Sequence, residues 1–290
     1  MSHITSPSYI TRLMKKWGFS TKKRFGQNFL IDQNIVERII ACAQIQEGEW
    51  ALEIGPGLGA LTVHLADQAA HVVAMEIDTS LVAILRDTLQ TPKATIWEGD
   101  ALEADWRKLL EEAGWQGQPL RLVANLPYYL TSPLIMKALE SALPFASMVV
   151  MVQKEVALRM LAEAGSKDFG ILSLAVQYYA EGRMAMNVPR TVFLPSPAVD
   201  SAVVELIPRT PPVDAPRDEL FAVIRAGFGQ RRKTLRNALK TLMDEWPAGE
   251  LSPESIDQAL LRANIDPTMR AERLSLEEFS VLTKELLKGV

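Results

Sequence analysis

The chain has 290 residues, of which 48% are hydrophobic and 23% are charged, a composition that is typical of a folded globular protein and argues against extended disorder. A formal net charge of -4 indicates no overall preference for nucleic acid, and the single cysteine, Cys42, excludes an internal disulfide. No apolar run approaches the ~20 residues of a membrane-spanning helix and the first residues do not read as an export signal, so we expect a cytoplasmic protein.

The beginning of the chain is positively charged, because no acidic residue precedes Asp32. The basic residues of this N-terminal basic region are Arg12, Lys15, Lys16, Lys22, Lys23 and Arg24. Such a cluster fits a surface that binds RNA phosphates, and it fits a solvated face of a helix equally well. Charge alone does not separate the two interpretations.

From about residue 49 to residue 153, short apolar runs alternate with helical patterns, as expected for βα units that build a parallel sheet. We predict strands at WALEI, HVVAME, ATIWE, RLVAN and SMVVMVQ. We predict helices at LGALTVHLADQ, TSLVAILRDTLQ and SPLIMKALESAL. Ser80, which follows Asp78, and Ser132, which precedes a proline, are the expected helix starts.

A glycine-rich turn follows the first of these strands and opens a helix in the segment LEIGPGLGALT. Gly55, Gly57 and Gly59 allow the backbone to approach a ligand closely at the end of the strand, which predicts a nucleotide-type site. Gly55, Gly57 and Ala60 also satisfy the dinucleotide pattern, with Glu76 about 20 residues further on, where an acid binds ribose hydroxyls. NAD therefore remains an alternative at this point.

Acidic residues at the strand ends favour S-adenosyl-L-methionine over NAD. Glu53, Glu76 and Asp100 lie at or just beyond the ends of three successive predicted strands, at the edge where open α/β sheets bind ligands. Carboxylates suit a cationic sulfonium better than an anionic pyrophosphate. We expect Glu76 to bind the ribose hydroxyls and Asp100 to bind the adenine amine of the cofactor.

The segment NLPY after the fourth strand indicates the reaction. The amine of adenine is a weak nucleophile because its lone pair is delocalised into the ring, so transfer needs acceptors for the amine hydrogens. The side-chain oxygen of Asn125 and the carbonyl of Leu126 can accept them. Pro127 stiffens the turn, and Tyr128 offers a flat face for an extruded base. Alone, these residues also fit a rigid turn, but after a glycine turn and strand-end acids they favour a methyltransferase.

The pattern changes after Gln153, where two helical stretches are followed by the strand-like runs RMAMNV and AVDSAVVELIP. Two strands without a helix between them predict an antiparallel edge.

The proline-rich run PRTPPVDAPRD marks a boundary, so we predict a catalytic domain at 1–208, with a basic segment at 1–31, and a helical domain at 209–290. Ser252 and Ser275 are expected helix starts in the second domain. It carries a second basic region of Arg225, Arg231, Arg232, Lys233, Arg236 and Lys240.

The chain resembles the ribosomal RNA adenine dimethyltransferases over nearly its whole length. The resemblance rests on KKRFGQNFLID, EIGPGLGALT, EID, GDALE, NLPYYLTSP, FLPSPAVDSAV and GFGQRRKTLRNAL, in that order. It implies an α/β, Rossmann-like class I methyltransferase fold with a mostly parallel seven-stranded sheet and an antiparallel edge, plus a small all-α C-terminal domain. It also implies that Gln27, Asn28 and Leu30 line the cofactor site, and that Phe193 and Tyr128 sandwich the target adenine.

The same resemblance implies dimethylation of the N6 amines of two adjacent adenines in 16S ribosomal RNA, within the small ribosomal subunit or its precursor, by a monomer. The residues expected to contact RNA are Lys22, Lys23, Arg24, Arg231, Arg232, Lys233 and Arg236. No metal site is expected, since the three histidines are scattered. Two alternatives stay open: methylation of 23S ribosomal RNA or DNA adenine, and a ribosome-assembly factor in which catalysis is dispensable.

Overall fold

A computed structural model describes residues 4–22, 26–230, 232–243 and 246–289. Within these residues the strands are β1 (Phe29–Leu30), β2 (Trp50–Ile54), β3 (His71–Glu76), β4 (Ala94–Glu98), β5 (Leu120–Asn125), β6 (Phe145–Gln153), β7 (Ala180–Val188), β8 (Phe193–Leu194) and β9 (Ser201–Pro208). The helices are α1 (Pro7–Lys16), α2 (Gln33–Ala43), α3 (Thr62–Gln68), α4 (Thr79–Thr88), α5 (Trp106–Glu112), α6 (Thr131–Glu140), α7 (Lys154–Met160), α8 (Ile171–Tyr179), α9 (Arg217–Gly229), α10 (Leu235–Leu239), α11 (Pro253–Arg262) and α12 (Leu276–Leu287).

Seven strands form the main sheet in the order β4-β3-β2-β5-β6-β9-β7. Neighbouring strands from β4 to β6 pair in parallel, and β9 pairs antiparallel with β6. The antiparallel strand β9 is inserted between β6 and the edge strand β7. The chain leaves β2 toward β3 on one side and reaches β5 on the other, so the strand order reverses between β2 and β5, where open α/β sheets bind ligands. The expected fold class is confirmed.

The central strands are buried along nearly their whole length because helices cover both faces of the sheet. Every residue of Trp50–Ile54 is buried, as are all but the first residue of His71–Glu76. One core cluster packs α2 and α3 against the sheet and includes Val36, Ile39 and Leu65. This packing gives the carboxyl ends of the strands a rigid support.

Strand positions agree closely with the sequence prediction, whereas some helix starts differ. The cap of α4 is Asp78, whose carboxylate accepts from the Ser80 backbone N–H, so Ser80 is a second-position residue and not the cap. Helix α6 begins at Thr131, which places Ser132 inside its first turn. Capping boxes at Ser252 and Ser275 confirm the two predicted starts in the C-terminal part.

Two helices and one small ladder are among the elements that were not predicted. Helix α1 begins with Ser6 accepting from the Tyr9 N–H and a proline in the first turn, a start signal that is visible in the sequence. Helix α5 begins at an Asp105 cap. The third element is the small antiparallel ladder of β1 with β8, which pairs Phe29 with Leu194. Its two-residue strands lie far apart in the chain, so no local pattern reveals them.

The chain divides into two compact units: the sheet unit, residues 1–157 and 181–208, and the helical unit, residues 158–180 and 209–290. The sequence analysis assigned residues 158–180 to the catalytic domain, whereas in the structure they group with the helical unit. Helix α8 packs within the helical unit, where the Tyr178 ring meets the Phe221 ring of α9 edge-on at 5.2 Å. No helix in the described part of the chain is long and apolar enough to cross a membrane.

Candidate active site

A cleft of about 1080 Å³, including its open mouth, lies at the carboxyl ends of β2 to β5 in the sheet unit. Because parallel strands end at the same edge of a sheet, residues that are far apart in the sequence meet there. The predicted site residues that line the cleft are Gln27, Asn28, Leu30, Gly55, Gly57, Glu76, Asp100, Asn125, Leu126, Pro127 and Tyr128.

The glycine turn between β2 and α3 forms one wall of the cleft. Gly55 and Gly57 have φ angles of +69° and +61°, a backbone conformation that side chains disfavour. A Cβ atom at Gly57 would lie 3.2 Å from the Phe29 ring of β1, and a Cβ at Gly55 would lie 3.7 Å from the Asn125 carbonyl oxygen. Glycine at these positions therefore leaves space in the cleft that a side chain would fill.

Glu76, the last residue of β3, is buried beside this turn. Its Oε2 accepts from the Gly57 N–H at 3.2 Å, and its Oε1 accepts from the Asp78 N–H at 2.9 Å. Burial raises the pKa of Glu76 to about 7, although these backbone hydrogen bonds act in the opposite direction. The carboxyl group links the glycine turn to the loop after β3 and lines the cleft, as a ribose-binding acid requires.

Glu53 differs from the other two acids because it is fully buried at the base of the cleft. Burial raises its pKa to about 8, and the nearby Glu76 carboxyl acts in the same direction. Its Oε2 has no hydrogen-bond partner among the residues that the structure describes. The expectation of a carboxylate rim is therefore corrected at this position, where the group is mostly protonated at neutral pH.

Asp100 lies two residues after the end of β4 and is partly exposed in the cleft. Its Oδ1 accepts from the Leu102 N–H at 2.8 Å, which fixes the direction of the carboxylate. The apolar side chains of Ile77 and Ala101 line the same part of the cleft. A carboxylate next to apolar side chains suits a flat heterocycle that carries an exocyclic amine.

The segment from Asn125 to Tyr128 forms the wall opposite Glu76. Asn125 Nδ2 donates to the Asn28 carbonyl at 3.3 Å, so its side-chain oxygen is left as the acceptor. The Leu126 N–H donates to the Met151 carbonyl at 3.1 Å, which holds the turn on strand β6. The Pro127 carbonyl accepts from the Leu130 N–H at 3.0 Å, which closes the turn before α6.

The Tyr128 ring is oriented by a hydrogen bond at its far end. Its hydroxyl lies 2.7 Å from the Ser201 hydroxyl at the start of β9. Burial raises the pKa of Tyr128, so the phenol stays neutral at physiological pH. An anchored neutral ring is a suitable surface for stacking a base.

Residues 26–30 form the remaining wall of the cleft. Gln27, Asn28 and Leu30 all line it, as the resemblance implied. Gln27 Nε2 donates to Asp78 Oδ2 at 2.8 Å, and Asn28 Nδ2 donates to the Gly26 carbonyl at 2.9 Å. The first contact joins residues 26–30 to the loop after β3, and the second stabilises the turn within residues 26–30.

Phe193 is the predicted residue that the structure does not bring into the cleft. It is 2% exposed and packs in the core cluster with Leu30 and Val36. The cause is the β1–β8 ladder, which pairs Phe193 with Leu30 and directs its ring into the core. The assignment of Phe193 as the second aromatic wall therefore stays a prediction that rests on the resemblance.

The predicted RNA contacts fall into three groups. Lys22 is held by Asp78, with 2.6 Å between Nζ and Oδ1, and Arg236 forms a bidentate pair with Asp257, so both are engaged within the protein. Arg232 and Lys233 are exposed. Lys23, Arg24 and Arg231 lie outside the described residues.

Several lining residues were missed by the sequence analysis. Ile4 and Ile10 reach the cleft from the N-terminal part of the chain, and Phe29 reaches it from β1. Tyr129 also lines the cleft and is exposed. A signal for Ile10 was present in the amphipathic pattern of α1, whereas the placement of Ile4 and Phe29 depends on tertiary contacts.

The cleft as a whole fits S-adenosyl-L-methionine. The glycine turn leaves room for close approach, Glu76 and Asp100 offer acceptors for ribose hydroxyls and for an amine, and Ile77 offers an apolar contact for a ring. Asn125 lines the same cleft, and its Nδ2 is engaged with the Asn28 carbonyl. The arrangement can hold a nucleoside on one side and present an amine acceptor on the other.

Comparisons with known proteins point to one family. The family model described as ribosomal RNA adenine dimethylase matches residues 18–288. A ribosomal RNA small subunit methyltransferase A from Anoxybacillus flavithermus is 48% identical over 98% of this chain and 96% of its own length. The protein of that name from Bacillus pumilus is 49% identical over 99% of this chain and 98% of its own length.

Solved structures show the same fold. A dimethyladenosine transferase from Plasmodium falciparum has a TM-score of 0.72 and 28% identity, over 90% of this chain and 98% of that one. The 23S rRNA methyltransferase ErmE has a TM-score of 0.62 and 24% identity, over 89% of this chain and 99% of that one. At that identity the second likeness concerns the fold alone.

Proposed function

Since this chain belongs to the ribosomal RNA adenine dimethylase family, we propose that it transfers methyl groups from S-adenosyl-L-methionine to the N6 amines of two adjacent adenines in 16S ribosomal RNA. One observation carries the proposal: a single cleft brings together the glycine turn, the acids Glu76 and Asp100, and the segment from Asn125 to Tyr128. A cofactor-binding half and an amine-accepting half thus face the same space.

Binding of the cofactor is assigned to the walls that carry Glu76, Asp100 and the glycine turn. Glu76 takes the ribose hydroxyls and Asp100 the adenine amine, while Asn28 and Leu30 cover the site. When bound, S-adenosyl-L-methionine supplies an electrophilic methyl group. The backbone of Gly55 and Gly57 admits the ligand where a Cβ would obstruct it.

Activation of the target amine is assigned to Asn125 and Leu126. The Asn125 side-chain oxygen and the Leu126 carbonyl accept the two amine hydrogens, which localises the nitrogen lone pair for attack. The hydrogen bond from Asn125 Nδ2 to the Asn28 carbonyl fixes which end of the amide is the acceptor. Positioning is then the main contribution of the protein to the rate.

The target base is placed by Tyr128. Its ring offers a stacking face, and the hydrogen bond with the Ser201 hydroxyl favours one orientation of that ring. Phe193 remains the residue assigned to the second face of the base, and the exposed Tyr129 lies in the cleft next to Tyr128. Extrusion of the adenine from its helix is required to reach this position.

The substrate is assigned to the small ribosomal subunit or its precursor, with the chain acting as a monomer in the cytoplasm. The support is the name of the bacterial relatives, which are described as acting on the small subunit. Arg232 and Lys233 are the exposed residues assigned to phosphate contacts. An overall charge of -4 favours a structured particle over naked RNA as the partner.

Mass spectrometry of nucleosides tests the proposal directly. Unmethylated small subunits are incubated with the enzyme and S-adenosyl-L-methionine, with large subunits and duplex DNA in parallel reactions. The expected product is N6,N6-dimethyladenosine from the small subunit alone. Methyl groups recovered only from 23S ribosomal RNA or from DNA would overturn the substrate assignment, and no transfer to any of the three would favour an assembly factor.

A further inference from the structure

Lys22, Gln27 and Asp78 form a polar cluster, the Asp78 cluster, where the N-terminal segment meets the loop after β3. Lys22 Nζ lies 2.6 Å from Asp78 Oδ1, and Gln27 Nε2 donates to Asp78 Oδ2 at 2.8 Å. The Lys22 backbone N–H donates to Gln27 Oε1 at 2.7 Å, which closes the cluster. The Asp78 side chain has no exposed surface, whereas that of Lys22 is 34% exposed.

Among the described residues, the charge on Asp78 is compensated by this cluster and by the cap of its own helix. Burial alone would raise the pKa of Asp78, but the hydrogen bonds from Lys22, Gln27 and the Ser80 N–H outweigh it and hold the pKa below its ordinary value. The carboxylate therefore stays ionised at neutral pH. Removing one partner of a buried charge pair leaves the other uncompensated, so the cluster strongly favours the arrangement in which residues 22 and 27 are seated on Asp78.

The Asp78 cluster joins two opposite walls of the cleft. On one side the Asp78 N–H donates to Glu76 Oε1 at 2.9 Å. On the other side Gln27 precedes Asn28, whose carbonyl accepts from Asn125 Nδ2 at 3.3 Å. The contacts thus run from Glu76 through Asp78 and Gln27 to Asn28 and Asn125, around the cleft.

We propose that Asp78 is a positioning residue that holds Lys22 and residues 26–28 against the loop after β3, and thereby keeps Asn28 and Glu76 in place for cofactor binding. The inference rests on the proposed function, because it concerns the same cleft. Asp78 itself does not line the cleft among the described residues, so its action is through Gln27 and Glu76. Loss of its charge weakens cofactor binding and leaves the methyl-transfer step itself intact.

A second ion pair provides a matched control. Lys16 Nζ lies 3.0 Å from Asp87 Oδ2, and this pair also joins the N-terminal part of the chain to α4. Its side chains are 63% and 46% exposed, and neither residue lines the cleft. Exposed pairs of this kind contribute little, so breaking this one separates a general tether from the specific cluster.

Isothermal titration calorimetry with S-adenosyl-L-methionine tests the inference on the full chain. The variants are Asp78→Asn, Lys22→Met, Lys22→Arg and the control Asp87→Asn. We expect Asp78→Asn and Lys22→Met to raise the Kd about tenfold, whereas Lys22→Arg and Asp87→Asn stay close to wild type. With saturating cofactor, kcat of the weakened variants is expected to remain within about twofold of wild type, so the loss falls on KM.

Limited trypsin digestion adds a readout that is independent of activity. Cleavage after Lys22 is expected to be slowed by the cofactor in wild type and in Asp87→Asn, and not in Asp78→Asn. Lys22→Met removes this cleavage site and is therefore compared by calorimetry alone. It leaves the cap of α4 in place, so its affinity decides the matter if Asp78→Asn fails to fold. If Asp78→Asn and Lys22→Met both bind the cofactor with wild-type affinity, the inference is overturned and the proposed function stands. If the wild-type chain does not bind the cofactor, both the proposed function and this inference are overturned.

Discussion

Glu53 and Glu76 stand on neighbouring strands, and burial disfavours the ionised form of each. Their folded-state pKa values, about 8 and about 7, lie above the ordinary value of 4.5. The folded protein therefore binds more protons than the unfolded chain between these values and 4.5. The stability that these groups contribute is fully present below pH 4.5 and is lost as the pH rises through 7 to 8, so the free energy of unfolding falls across that window.

Glu53→Gln is expected to reduce this pH dependence, because the amide carries no charge to desolvate. Thermal unfolding between pH 5.5 and 8.5 measures it without cofactor, and each group can contribute a slope of at most ~1.4 kcal/mol per pH unit. At pH 8.5 the variant should have the higher Tm. Glu98→Gln, at the exposed end of β4, should keep the wild-type slope. A slope that Glu53→Gln leaves unchanged contradicts the assignment to Glu53.

Asn125→Ala is expected to lower kcat about 100-fold or more, because the amine loses an acceptor that matters only as the nitrogen attacks. Binding to the small subunit should persist, since Asn125 lies inside the cleft and not on a basic surface. Transfer of labelled methyl groups and co-sedimentation with small subunits measure the two properties separately. Asn34→Ala, at the exposed start of α2, is the matched control. Full turnover by Asn125→Ala would remove this residue from the mechanism.

The glycine turn, β1 and β8 form one assembly at the element scale. A Cβ atom at Gly57 would lie 3.2 Å from the Phe29 ring. Phe29 is held in place because it pairs with Leu194 in the β1–β8 ladder. Neither Phe29 nor Leu194 can move far without breaking the β1–β8 ladder. The cofactor wall therefore depends on a contact between segments that are distant in the sequence.

Gly57→Ala combines a strained φ of +61° with a close contact, whereas Gly48→Ala has a φ of +84° and no atom within 4 Å of its Cβ. Each substitution is expected to lower the unfolding free energy by about 1–2 kcal/mol through the left-handed backbone. Only Gly57→Ala should also weaken cofactor binding, by about tenfold. Denaturant unfolding and calorimetry measure the two effects. Equal affinities in both variants would show that the contact with Phe29 is unimportant.

Charge is organised at the scale of the whole molecule, where basic residues have unequal roles. Lys22 and Arg236 are paired with carboxylates, while Arg232 and Lys233 are exposed. Paired cations are already compensated and release few counterions on binding RNA. Exposed cations are the ones expected to set the salt dependence of binding.

Replacing both Arg232 and Lys233 by alanine should weaken binding to small subunits and reduce the slope of log K against log salt by about 1.5. Titrations at several salt concentrations measure the slope. A double alanine variant of Lys284 and Lys288, which are paired with Asp214 and Glu285, is the control and should keep the wild-type slope. An unchanged slope in the first variant would place the phosphate contacts elsewhere.

Local sequence patterns determined the seven strands of the main sheet, the glycine turn, the strand-end acids and the segment from Asn125 to Tyr128. They did so because a buried parallel strand needs a continuous apolar run, and because the ligand edge of such a sheet is where strands end. The assignment of 16S ribosomal RNA came from resemblance to a family, since no pattern in these residues distinguishes one RNA from another.

Tertiary structure decided what local patterns could not. It moved Phe193 into the core through the β1–β8 ladder, engaged Lys22 with Asp78 and Arg236 with Asp257, and buried Glu53 so that its pKa rose to about 8. Each outcome depends on which distant residues meet and on how much water they lose. Burial and pairing are properties of the packed chain, whereas a residue's type and its position along a strand are properties of the sequence.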